Sequence, residues 1–72
     1  MSIRYPVVFE KVATSWGASV PDLPGCIATG ATIEETETLI REAIEFHLTG
    51  LREDGVPIPH PSSHVEYVEV TG

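Results

Sequence analysis

The stretch Ser19–Glu35, SVPDLPGCIATGATIEE, fixes what the rest of the chain can become. Pro21 and Pro24 preset φ, and Gly25 supplies a permissive backbone, so PDLPG reads as a turn. Cys26–Gly30, CIATG, follows as a short strand of small residues. Thr32, Ile33, Glu34 and Glu35 then match a capping box, in which Thr32 accepts from the Glu35 N–H and the Glu35 carboxylate reaches back to the Thr32 N–H. The segment is therefore a turn, a strand and a helix start. The lone cysteine invites a second reading, a nucleophile in a catalytic loop. That chemistry needs a neighbouring base and a lowered pKa, and no His or Lys stands beside Cys26 in the sequence. Cys26 is read as a small buried residue that opens a strand.

On the N-terminal side, Ile3–Glu10 alternates. Ile3, Tyr5, Val7 and Phe9 fall on one face, and Arg4, Pro6, Val8 and Glu10 on the other. Pro6 has no N–H to give a ladder, so it belongs where that gap faces away from a neighbour. KVATSWG reads as a loose turn. A second strand spans about Trp16 to Val20, with Trp16, Ala18 and Val20 on one face.

On the C-terminal side, a helix runs from Ile33 to Glu53, with Glu34, Glu35 and Glu37 at the positive end of its dipole and Gly55 as its stop. At 100° per residue its apolar positions occupy an arc of roughly 200°, twice what one small sheet needs. The flanks, with Leu39 and Phe46 on one side and Leu48 on the other, should meet something beyond the sheet. VPIPHPSS is a proline-rich tether. HVEYVEV, from His64 to Val70, reads as a fourth strand with Val65 and Tyr67 on one face and Val68 and Val70 mostly on the other. The expected fold is α+β, one domain over residues 1–72 in the order β-β-β-α-β. One helix covers one face of a small sheet, and the fourth strand returns through a right-handed crossover.

Composition narrows the function. Eleven acids against four bases give a formal charge of −7, which repels phosphate backbones, so direct nucleic-acid binding is not expected and a basic protein partner is. No apolar run reaches membrane-spanning length and no signal peptide is visible. One cysteine allows no intrachain disulfide, and a reducing, cytoplasmic setting is expected. A chain of 72 residues buries only about 60% of its unfolded surface, so association is an expected source of stability.

Catalytic patterns are not evident. His60 and His64 are four apart, but in an extended proline-rich segment that spacing does not place them together as metal ligands. His47 lies in the apolar arc of the helix and reads as a packed or interface residue. The carboxylates line helix and strand surfaces, with Asp22 in the PDLPG turn. No phosphate-binding glycine loop or nucleophile elbow is present. No enzyme activity, cofactor or metal is expected.

Three stretches together, YPVVFEK, VPDLPGCIATGATIEE and AIEFHLTGLREDGVPIPHPS, resemble a HicB-type antitoxin domain across nearly the whole chain. The resemblance implies a partly reduced ribonuclease-H-like fold, with the fourth strand beside and parallel to the first. It implies neutralisation of a small basic HicA toxin that cleaves messenger RNA, by covering the toxin's active surface. Many members also carry a C-terminal DNA-binding domain. Residues 1–72 contain none, so promoter binding by this segment is not expected. The residues singled out for the partner are Glu10, Trp16 and Asp22. Those for self-association into a dimer or tetramer are Leu39, Phe46, His47 and Leu48. The alternative is a stand-alone homo-oligomer of this fold without a toxin, and a residual metal-dependent nuclease is a third, weaker reading.

Overall fold

A computed structural model describes residues 3–72. Three antiparallel strands, β1 (Val8–Val12), β2 (Ser15–Ser19) and β3 (Ile27–Gly30), form a sheet in the order β1-β2-β3, and one helix, α1 (Ile33–Glu53), packs on it. The β-β-β-α part of the expected order is present, with the helix bounds as read from the sequence.

Register explains the two faces. Phe9, Ala18 and Ala28 align across the sheet, and the row pairs inward on the helix side. Val8, Ser19 and Ile27 align in the next row and point away from the helix. Ala18, Val20, Leu23, Cys26, Ile40 and Leu48 form the buried core, with Tyr5, Val7, Phe9, Ala43, Ile44, Leu51 and Ile58 packed around it. The helix sits over β3 and β2, leaving the β1 side of the sheet less covered. Lys11 consequently stays exposed although its row faces the helix.

The PDLPG stretch is a double turn. The Leu23 amide donates to the Val20 carbonyl (3.0 Å), and the Cys26 amide to the Leu23 carbonyl (3.0 Å). Each turn has a proline in its second position, and Gly25 at φ 83° gives the second the geometry of a type II turn. Between them Leu23 is driven to full burial. Cys26 is buried as well, and burial pushes its thiol pKa up, away from reactivity.

Gly30 brings helix and sheet together. A Cβ there would lie 2.6 Å from Thr36 Oγ1 and 3.0 Å from the Thr36 amide. Thr36 is fully buried, and its hydroxyl reaches the Thr32 carbonyl (2.7 Å) and the Trp16 carbonyl (3.4 Å). At the N-terminus of α1, the Glu35 amide donates to Thr32 Oγ1 (3.1 Å) as expected, but the Glu35 carboxylate accepts from Ala31 rather than Thr32 (3.3 Å). At its C-terminus Gly55, at φ 69°, closes a Schellman motif: Val56 N–H donates to Leu51 C=O and Gly55 N–H to Arg52 C=O.

Four details differ from the sequence reading. The first strand begins at Val8 rather than Ile3, because Pro6 cannot donate to a ladder and pairing starts beyond it. β2 is shifted by one residue at both ends, to Ser15–Ser19, and β3 is one residue shorter at its start, Ile27–Gly30. KVATSWG is a tight hairpin: Val12 pairs with Ser15, leaving only Ala13 and Thr14 as the loop, with Ala13 at φ 54°. The fourth strand at His64–Val70 is not formed within the chain, and residues 56–72 carry no regular secondary structure. The physical cause lies just upstream of that segment. Pro57, Pro59 and Pro61 hold the tail extended and offer no ladder donors. The Tyr5 hydroxyl donates to the Pro59 carbonyl (2.6 Å), and Asp22 captures Ser62 and Ser63. The tail thus crosses the end of the sheet from the β1 side towards the β2–β3 turn and then runs on. The radius of gyration is 13.9 Å, against about 11 Å for a compact chain of this length.

Candidate functional site

Three open surfaces and one anchored tail are the features that could engage another molecule. The first is a groove of about 800 Å³ between the β1 side of the sheet and the helix. Tyr5, Val7 and Phe9 form its sheet wall, and Ile40, Ile44 and Leu48 its helix wall. The rim is charged: Arg4, Arg41 and Arg52 line it together with Glu37 and Glu45. Three of the chain's four basic side chains therefore surround one apolar trough, in a molecule of net charge −7. Only Arg41 has an acidic partner, Glu37 at 3.3 Å, among the described residues. Both groups are exposed, so the pair adds little stability.

The second surface is the sheet face turned away from the helix. Val8, Val12 and Ile27 are exposed there, around a shallow depression also lined by Glu10, Gly17 and Thr29. Glu10 is the one charged residue lining it among the described residues. The third surface is the helix flank opposite the groove, where Leu39 and Phe46 lie seven residues apart and Phe46 is 83% exposed.

The structure separates the residues singled out from the sequence. Glu10 lies on the outer sheet face. Trp16 points to the helix side, half-buried, with its carbonyl receiving the Thr36 hydroxyl. Asp22 sits at the end of the sheet and holds the tail. Its Oδ1 accepts from the Ser62 hydroxyl (2.9 Å), the Ser63 hydroxyl (3.0 Å) and the Ser63 amide (3.2 Å). Partial desolvation works to raise the Asp22 pKa, but the hydrogen bonds from Ser62 and Ser63 outweigh it and hold the carboxyl below its ordinary value. On the helix, Leu39 and Phe46 share the outer flank, His47 is half-buried, and Leu48 is buried on the groove side.

Sequence reasoning did not gather Arg4, Arg41 and Arg52, because they are distant along the chain and meet only once the N-terminal segment lies beside the helix. The anchoring role of Asp22 was also missed. An acceptor in a turn and a Ser-Ser pair after three prolines were the available signals, some 40 residues apart.

Among the described residues no helix is long and apolar enough to cross a membrane, and no three His, Cys, Asp or Glu side chains converge as metal ligands.

Residues 5–71 match the family model described as the HicB-like antitoxin of bacterial toxin–antitoxin systems. Among curated proteins, an uncharacterised 14.9 kDa protein from the rep-hol intergenic region of Haemophilus phage HP1 is 39% identical over 64 residues, which is 89% of this chain and 48% of that protein. The protein named antitoxin HicB 2 of Photorhabdus laumondii is 37% identical over 70 residues, 96% of this chain and 50% of its own length. A UPF0150 protein of Helicobacter pylori is 43% identical over 47 residues, 65% of each chain. The chain spans about half the length of the first two of these relatives.

Proposed function

Because the chain belongs to the HicB-like antitoxin family of bacterial toxin–antitoxin systems, we propose that it neutralises a small, basic, HicA-like messenger-RNA-cleaving toxin by covering the toxin's active surface. The observation that carries this reading beyond the family is how charge is distributed over the surface. The outer sheet face offers exposed Val8, Val12 and Ile27 around a single carboxylate, Glu10, whereas the arginines surround the groove on the other side. A cationic toxin is attracted to the first surface and disfavoured at the second, where three arginines outnumber Glu37 and Glu45. Glu10 is therefore the proposed direct contact. Asp22 contributes by fixing the tail, and Trp16 is a half-buried residue on the helix side of β2.

The experiment is RNA cleavage by a small basic HicA-like toxin, with and without an equal concentration of this chain. Inhibition is expected, together with a stable complex. Glu10→Lys should weaken that complex about tenfold or more, in line with truncating or reversing a central interface charge. Undiminished cleavage in the presence of folded protein would sink the proposal.

A second reading, a self-associating protein of this fold acting without a toxin, is favoured by the exposed pair Leu39 and Phe46 on one helix flank. Loss of self-association in Phe46→Ser, with inhibition of a HicA-like toxin absent, would be its signature.

A further inference from the structure

The tail beyond Ser63 is the part of the molecule with the most unmet bonding capacity. Val65, Tyr67, Val68 and Val70 are all exposed, Tyr67 completely. The segment HVEYVEV is β-branched and aromatic, the composition of a strand, yet it has no ladder partner among the described residues. Its one polar side-chain contact among the described residues is internal, His64 Nε2 to Glu66 Oε1 at 3.2 Å.

The groove has the opposite deficiency. It is lined by the segment that leads into β1, from Ile3 to Val7, and by Phe9 of β1 itself; the only ladder partner of β1 among the described residues is β2, so its other edge presents unpaired backbone groups. The groove walls are apolar, and on its rim Arg4, Arg41 and Arg52 outnumber Glu37 and Glu45, with Arg41 paired to Glu37 and with Arg4 and Arg52 in no ion pair among the described residues. An inserted strand would satisfy the β1 edge, bury its apolar side chains between sheet and helix, and bring its acids to the arginines. His64–Val70 carries apolar residues on both faces and two acids, Glu66 and Glu69. A basic strand would meet like charge there.

The tail does not fill the groove of its own molecule. The Tyr5–Pro59 and Asp22–Ser62/Ser63 hydrogen bonds lead it across the sheet end, away from the free edge of β1. We propose that this groove receives the His64–Val70 segment of a second copy of the chain, as a fourth strand supplied in trans. The exchange is reciprocal. A twofold axis places each tail in the partner's groove, so every contact is made twice and the assembly closes at two. Tyr67 alone brings about 150–250 Å² of surface to each groove. The Asp22 anchor is the device that selects exchange over closure within one chain. The inference concerns self-assembly, and it stands or falls independently of any toxin.

Charge-reversed variants test it with the full chain and no toxin. In variant one, Glu66→Lys and Glu69→Lys reverse the tail. In variant two, Arg41→Glu and Arg52→Glu reverse the groove rim. All four positions are exposed, so folding should persist, as helical circular dichroism will report. Sedimentation at roughly 50 µM, a concentration generous enough for a modest dimer, should find the unmodified chain dimeric and each variant shifted to monomer. Mixing the two variants should restore a dimer, because each mixed groove again meets a tail of opposite charge. An unmodified chain that stays monomeric overturns the proposal. So does a dimer indifferent to both variants, which would move the interface to the Leu39–Phe46 flank. Variants that dissociate but are not rescued on mixing would equally reject exchange, and point to a tail closing on its own groove.

Discussion

At the scale of single residues, two positions carry consequences out of proportion to their size. Gly30 allows α1 to sit against β3 at a distance no side chain permits. Thr36 cannot retreat, since its hydroxyl is already bonded to the Thr32 carbonyl and its amide is part of the first helical turn. Gly30→Ala should therefore destabilise the fold by about 1–3 kcal/mol, the usual range for overpacking, and a urea titration will measure it. Asp22 is the other. Its carboxyl is held below the ordinary value, so it binds protons less readily in the folded chain than in the unfolded one. The stabilisation it gives the tail is fully present above the ordinary carboxylate pKa and is lost as pH falls through the lowered folded value. The protection of the Ser63 amide, its exchange rate relative to the intrinsic rate at the same pH, should accordingly hold at neutral pH and fall on acidification below about pH 4. In Asp22→Asn that pH dependence should vanish. Cys26 was legible as structural from sequence, since nothing basic stood near it. The partners of Asp22 were not, because sequence separation hides a contact made by a tail folding back.

At the scale of elements, the helix was the most legible. Its cap, its acidic first turn and its glycine stop are local signals, written within four residues of each boundary. Thr32→Ala removes the acceptor for the Glu35 amide and should cost about 1 kcal/mol, seen as a lower thermal midpoint with unchanged sheet register. The β1–β2 hairpin was less legible, because no Asn-Gly or Asp-Gly marks it. Ala13 occupies a left-handed conformation at φ 54° that disfavours any side chain. Ala13→Gly should thus stabilise the chain by up to about 1 kcal/mol, the left-handed penalty relieved less the entropy glycine brings. A rise in the thermal midpoint is the check. Strand ends shifted by a residue or more because pairing, rather than alternation, sets them. Alternation correctly sorted Tyr5, Val7 and Phe9 from Val8 and Glu10, but it could not say that the ladder begins after Pro6.

At the scale of the whole molecule, the chain is acidic overall but its arginines are gathered on one side. If the outer sheet face captures a basic toxin, long-range attraction governs the encounter. The association rate should fall roughly tenfold or more between low and high salt, with dissociation little changed, as stopped-flow mixing would show. The sequence by itself determined the turn at PDLPG, the capped helix, the inward face of the sheet and the family resemblance, because each is encoded by residues within a few positions of one another. It also made the apolar arc of the helix wider than one small sheet needs. Only the tertiary structure decided what lies along that arc: a groove walled by Tyr5, Val7 and Phe9 on the Leu48 side, and bare surface at Phe46 on the other. Only it decided that His64–Val70 stands apart from the sheet rather than joining it. A strand exists through the partner it pairs with, and alternation in one segment carries no information about whether that partner's edge is within reach.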